Sequence, residues 1–187
     1  MTSTTSLLGA AGEHYIVSEL LRRGHIAALA PQGVPNTDIV VTDLTGHRLC
    51  TIQVKSRRDK GRDGGWHMGP KHEELVSKNL FYCFVDFGRS VTDRPSVFIV
   101  PSAVVAEVIK ASHKAWLATP GARGQKRKDS SVRRLLPDYS PAYKPNPTPY
   151  PAGWLDVYRD AWDLLGMGPA PAQEKPTPKG RPVLQQE

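Results

Sequence analysis

The sequence predicts an α/β fold, a mixed β-sheet of about four to five strands flanked by helices. Three observations predict it. Near the N-terminus, Glu13, Ile16, Val17, Leu20 and Gly24 recur at helical spacing. Two runs, Asn36–Val41 and Thr51–Lys55, alternate in the strand period on either side of a turn. Two dense apolar runs, Leu80–Phe87 and Ser96–Val100, follow, and the second passes straight into a helical pattern.

Each element has its own signals. Ser3 to Ser6 are candidate caps for a helix from about Leu7 to Arg23, stopped by Gly24. His25–Ala30 reads as the first strand, and Pro31 to Pro35 turns the chain. The second strand carries Asp38, and Asp43–His47, with Gly46 at its tip, is a hairpin loop. The third strand runs from Arg48 to Ser56. Leu80–Phe87 reads as a central strand covered on both faces, and Ser96–Val100 as its neighbour. Pro101–Ser102 opens a second helix to about Trp116, with Ser102 as the expected cap and Val104, Val105, Val108 and Ile109 on its buried face. A single domain over residues 1–166 is expected, with a basic, Pro-rich loop at about 119–151 and a final helix at about 152–166. Residues 167–187, rich in Pro, Lys and Gln, are expected to be disordered.

Composition narrows the class. With 187 residues and 39% hydrophobic content, one ordinary core is affordable. A formal charge of +7 and a pI of about 9.5 favour a polyanionic partner. Cys50 and Cys83 lie inside apolar runs and lack metal-ligand spacing, so they read as buried small hydrophobes. No apolar run approaches a membrane span and the first residues lack a basic leader, so a cytoplasmic protein without a membrane partner is expected. No nucleophile-elbow sequence supports a Ser-His-Asp hydrolase.

The chemistry concentrates on the two alternating strands. Asp38 and Val40 share one face, with Ile39 and Val41 on the other. Gln53 and Lys55 share a face, with Ile52 and Val54 opposite. A hairpin register can therefore gather Asp38, Gln53 and Lys55. An acid, a second oxygen ligand and an amine suit metal-assisted phosphodiester hydrolysis, because hard divalent cations take oxygen ligands and a Lys can position water or balance phosphate charge. Glu13 is a carboxylate on the apolar stripe of the first helix, a costly position unless paired or metal-bound. After the third strand comes a basic, Gly-rich segment with Arg57, Arg58, Lys60, Arg62, Trp66 and His67. Two readings of this segment stand side by side: its cations contact phosphate and Trp66 stacks on a base, or it is a solvated surface loop whose Trp66 packs back on the core. His67 and His72 read as ordinary loop histidines, or as groups that contact phosphate or support the residues around a metal, and not as metal ligands. Lys126, Arg127 and Lys128 form a second basic run suited to phosphate.

These residues resemble the PD-(D/E)xK nuclease superfamily. The pattern stands here as Asn36-Thr37-Asp38 and Gln53-Val54-Lys55, a Gln-x-Lys variant in which the proline that precedes the first acid is displaced to Pro35. The likeness spans about Leu7 to Lys114 and is strongest to small bacterial members of that superfamily with a resolvase-like core. It implies a restriction-endonuclease-like core and a divalent-metal-dependent DNA endonuclease using Mg²⁺ or Mn²⁺ with no organic cofactor. It also implies that Asp38, Gln53, Glu13 and the Val54 carbonyl hold the cation and that Lys55 orients the attacking water. DNA is the implied partner, and a homodimer is expected if both strands are cut. Two other classes stay open. The neutral Gln53 allows a DNA-binding module with a weak or inactive site, and a basic structural protein would need neither cluster.

Overall fold

The computed structural model describes residues 4–59, 64–121, 123–143 and 148–166. Helix α1 (Thr4–Arg22) leads into β1 (Ile26–Leu29), β2 (Ile39–Thr42) and β3 (Leu49–Arg57), an antiparallel meander. A crossover carries β4 (Trp66–Met68) and a single 3-10 turn (Pro70–Glu73), and returns as β5 (Leu80–Asp86), parallel to β3. Strand β6 (Ser96–Pro101) runs antiparallel to β5 and gives way to α2 (Ser102–Ala118). The result is an α/β architecture whose mixed five-stranded sheet has the order β1-β2-β3-β5-β6. A separate two-stranded ribbon pairs β4 with β7 (Arg133–Leu135).

Side-chain alternation sets the layers. On one face Ile39, Val41, Ile52, Val54, Phe81, Cys83 and Val85 pack with Ile16 and Leu20 of α1. On the other, Tyr82, Phe84, Phe98 and Val100 pack with Val105, Val108 and Ile109 of α2 and with the β4-β7 ribbon. Strand β5 is therefore covered on both sides, as its unbroken apolar run requires. Cys50 and Cys83 are buried free thiols, and burial pushes both pKa values up, that of Cys50 to about 12, which disfavours the thiolate. Among the described residues no helix is long and apolar enough to cross a membrane.

Three local expectations are corrected. Ser102 does not cap α2. Its hydroxyl donates to Ser77 O at 2.8 Å and accepts from Ser77 N at 3.0 Å, which ties the loop before β5 to the helix start. The segment 152–166 is not one helix but two 3-10 turns, Asp156–Tyr158 and Trp162–Leu165. Between them Arg159 bridges Phe98, and Asp160, at φ 49°, donates its N–H to Val97 O at 2.9 Å. Covering the open edge of β6 satisfies backbone groups that an independent helix would leave exposed. Within the basic 119–151 stretch, Arg133–Leu135 is a strand. The tail expected to be disordered lies outside the described residues.

Candidate active site

Gly12 seats α1 on the sheet. A Cβ there would collide with Ser56 Oγ and lie 3.1 Å from Ser56 Cβ. Only a glycine permits this approach, and it brings the next residue, Glu13, over β3.

Asp38 stands where β2 begins. Its N–H donates to Ile52 O at 2.9 Å, and its Oδ2 accepts the Val54 N–H at 2.7 Å. The carboxylate is thus pinned against the middle of β3. In an extended strand a residue's N–H and C=O point to the same edge, so the Val54 carbonyl faces the same side as Asp38. The preceding turn reaches φ 61° at Asn36, a conformation that Asn tolerates better than most residues.

Gln53 is only 6% exposed, and its Oε1 is buried with no hydrogen-bond partner. Burying an unsatisfied amide oxygen costs about 1–3 kcal/mol, and such orphans call for a ligand or ordered water. Gln53 lies opposite Tyr82 in the parallel β3-β5 register, and Lys55 lies opposite Phe84. The lysine is half-buried. Burial holds its pKa below the ordinary lysine value; the carboxylates of Asp38 and Glu13 oppose that shift and the Lys71 charge adds to it. Glu13 is also half-buried. Its pKa is raised, first by burial and then by the Asp38 charge, against the opposing influence of His14 and Lys55.

Glu13, Asp38 and Lys55 therefore feel one another's charge where β2 and β3 meet the start of α1, although alternation along the strands accounts only for Asp38 and Lys55. Among the described residues no three His, Cys, Asp or Glu side chains form a metal cluster. The available donors are two carboxylates, the orphan Gln53 oxygen and a backbone carbonyl. This all-oxygen set fits a hard divalent cation.

The structure buries His72, which the sequence reads as a loop histidine or a phosphate contact, and brings in Lys71 and Tyr82, which the sequence did not single out. His72 is 3% exposed, and its Nδ1 lies 2.7 Å from Tyr82 Oη. Burial, then the charges of Lys55 and Lys71, bring the His72 pKa down to about 4. Burial, then Asp38, raises that of Tyr82. The two form a neutral pair in the core rather than a phosphate contact. Tyr82 reads in sequence as one more core aromatic, and Lys71 as one more surface lysine. Only the return of the crossover to β5 brings the Lys71 charge to bear on Lys55 and sets Tyr82 opposite Gln53.

The proposed nucleic-acid surface divides. Trp66 is 2% exposed, packs on Phe84 and Phe98, and donates its indole N–H to Val85 O at 3.1 Å, so no ring face is left for a base. Arg57 bonds Asp86 Oδ2 at 2.6 and 3.0 Å and lies 4.4 Å over the Trp66 ring. It joins the ends of β3 and β5 and is not available to phosphate. Arg58 is half-buried, and His67, Lys126 and Lys128 are exposed. Arg127 covers the Trp116 ring at 4.7 Å. Lys60 and Arg62 lie outside the described residues.

The chain matches no protein-family model and no curated protein. Among solved structures it is similar to a bacterial homing endonuclease at 16% identity and a TM-score of 0.48, over 88% of this chain and 92% of that one. It is also similar to the Holliday junction resolvase Hjc of the archaeal hyperthermophile Archaeoglobus fulgidus. That match has 15% identity and a TM-score of 0.39, over 72% of this chain and 86% of the resolvase.

Proposed function

We propose that the chain is a divalent-metal-dependent DNA endonuclease that hydrolyses phosphodiester bonds at a centre made by Glu13, Asp38, Gln53 and Lys55. The observation that carries this reading is the unpartnered Oε1 of Gln53, buried on the strand that also pins the Asp38 carboxylate. Asp38, Gln53, Glu13 and the Val54 carbonyl would hold Mg²⁺ or Mn²⁺. When bound, the ion supplies Lewis-acid polarisation of the phosphate and acidifies a water.

The chain's own groups do the rest. The Val54 N–H fixes one Asp38 oxygen and so orients the other. Lys55 is drawn by two carboxylates and desolvated by its surroundings. It orients the attacking water and offsets negative charge growing on the phosphate. Its depressed pKa lets it give up a proton more readily than a surface lysine. The neutral His72–Tyr82 pair fills the space near Lys55 without adding charge. Exposed Lys126 and Lys128, with Arg58 and His67, supply phosphate contacts beyond the centre, and the net charge of +7 draws DNA to the protein. Two such centres would cut both strands of a duplex in one encounter, so a homodimer is the form that suits linearisation of DNA.

A second reading has one observation in its favour. Gln53 brings no charge, so a protein of this fold could hold DNA without cutting it. Cleavage of supercoiled plasmid and branched DNA with Mg²⁺ or Mn²⁺ separates the two. The wild type is expected to nick. Lys55→Ala and Asp38→Ala should each lose at least about a hundredfold, and chelator should abolish the activity. A wild type that binds DNA and cuts nothing with either metal overturns the enzyme and leaves the binding module.

A further inference from the structure

A cleft of about 690 Å³ lies between the C-terminal half of α2 and the segment 127–139. This is the size range of small-ligand sites, ~300–1,000 Å³. It sits on the α2 side of the sheet, the side to which Gln53 and Lys55 point. Its wall is a stack. His113 lies against Trp116 with ring centroids 5.5 Å apart and planes 21° from parallel, and the Arg127 guanidinium lies 4.7 Å from the Trp116 centroid. Arg127 is anchored there by a 3.3 Å bond from Nη1 to Trp116 O and remains part-exposed. Leu136 adds an apolar side, and Arg134, exposed and already engaged in a contact of its own, borders the cleft. Of the nearby acids, Asp129 is held by His113 at 2.7 Å, and Asp138 caps the Ser140 N–H at 2.8 Å. Both carboxylates thus have protein partners.

We propose that this cleft binds one unstacked nucleotide of a DNA strand, its base against the part-exposed guanidinium of Arg127 and its phosphate beside Arg134. Unpaired bases stack on aromatic rings and on guanidinium planes, and a guanidinium already laid on an indole is a preformed platform for such stacking. The mixture of cations, aromatic surface and apolar side is what a nucleotide needs, and a lone phosphate would use only part of it. The site rests on the DNA reading above but is separate from the reaction centre. It would hold strand displaced or unpaired beside the cut.

The test uses the full chain in chelator, where no cleavage contributes. The probe is a fluorescein-labelled oligothymidylate of twelve nucleotides. Affinity is read by anisotropy over a salt series, and stacking by intrinsic tryptophan fluorescence with the unlabelled oligomer. The wild type should bind with quenching. Arg127→Ala with Arg134→Ala should weaken binding about tenfold or more and flatten the salt dependence by roughly one unit of slope. Trp116→Phe, which keeps an aromatic ring for the stack, should keep most of the affinity and lose the quench. Arg127→Lys, which keeps the charge without the plane, should fall between. No binding by the wild type overturns the proposal, as does a double variant with unchanged affinity and slope, or a quench that survives in Trp116→Phe. A cleft that behaves as expected in a protein that never cuts plasmid sustains this inference and removes the nuclease reading. A nuclease whose cleft variants bind normally does the reverse.

Discussion

Gly12→Ala is the substitution with the best-defined consequence. The new methyl would meet Ser56 Oγ inside contact distance, with Ser56 Cβ at 3.1 Å and Val54 Cγ1 at 3.4 Å. Against this stands a gain of about 0.8–1.0 kcal/mol in helix propensity for Ala over Gly. Overpacking at such a contact costs about 1–3 kcal/mol, so the net effect is a loss of about 1 kcal/mol. Ser56 gives the control. Its Oγ is buried without a hydrogen-bond partner, so Ser56→Ala removes an uncompensated hydroxyl and should be neutral or stabilising. In the double variant only the 3.1 and 3.4 Å contacts remain, and a shift of a few tenths of an ångström relieves them. The helix-propensity gain should then emerge, with a favourable coupling of about 1–2 kcal/mol between the two sites. Urea melts followed by tryptophan fluorescence give the four stabilities. Plasmid nicking should track the displacement of Glu13, down about tenfold in Gly12→Ala and recovered in the double variant. If Gly12→Ala is as stable as wild type and couples to Ser56→Ala by less than about 0.5 kcal/mol, α1 does not sit on β3 as described.

Other expectations bear on the same centre. Gln53→Glu adds the charge that the amide lacks and should lower the half-saturating Mg²⁺ concentration about tenfold, most visibly as pH rises and the new carboxyl ionises; a metal titration of nicking reads it directly. Because the Glu13 pKa is raised on folding, its contribution is favourable at low pH and is lost as pH rises past the ordinary carboxylate value. Glu13→Gln should therefore stabilise the metal-free protein at neutral pH in thermal melts while removing stabilisation by added Mg²⁺; a variant less stable than wild type at pH 7 would contradict this. The lowered pKa of His72 has the opposite sign. Stability is full above pH 6.5 and should fall as pH drops toward about 4, by up to about 3 kcal/mol. Replacing both partners, His72→Leu with Tyr82→Phe, should flatten that dependence in melts taken across pH 4–7, and an unchanged slope would assign it elsewhere.

Much of the centre is legible before folding. A strand period of two separates Asp38 from Ile39, and Gln53 and Lys55 from Ile52 and Val54. Burying the apolar set then commits the polar set to the other side. The structure keeps that division, with Ile39, Ile52 and Val54 in the α1 core. The helical period likewise places Glu13 one residue after a glycine that must face the sheet. What stays open involves side chains whose fate depends on distant partners. For Trp66 in its glycine-rich basic stretch the sequence leaves open a base-stacking or a core position, and only the pairing of β4 with β7, far along the chain, decides for the core.

What the sequence determined by itself is periodicity. It settles where the five strands of the main sheet and the two long helices run, which residues share a face, and that an acid, an amide and an amine fall on neighbouring strands, but not the β4-β7 ribbon. Local backbone geometry is enough for this, because burial of one face orients the other. The tertiary structure decided everything that depends on long-range contacts. It paired His72 with Tyr82 and brought Lys71 near Lys55. It left the Gln53 oxygen without a partner. It bent the 152–166 segment along the edge of β6 instead of letting it form a helix. No window of neighbouring residues encodes these outcomes, because each is set by which open edge or buried polar atom the returning chain meets.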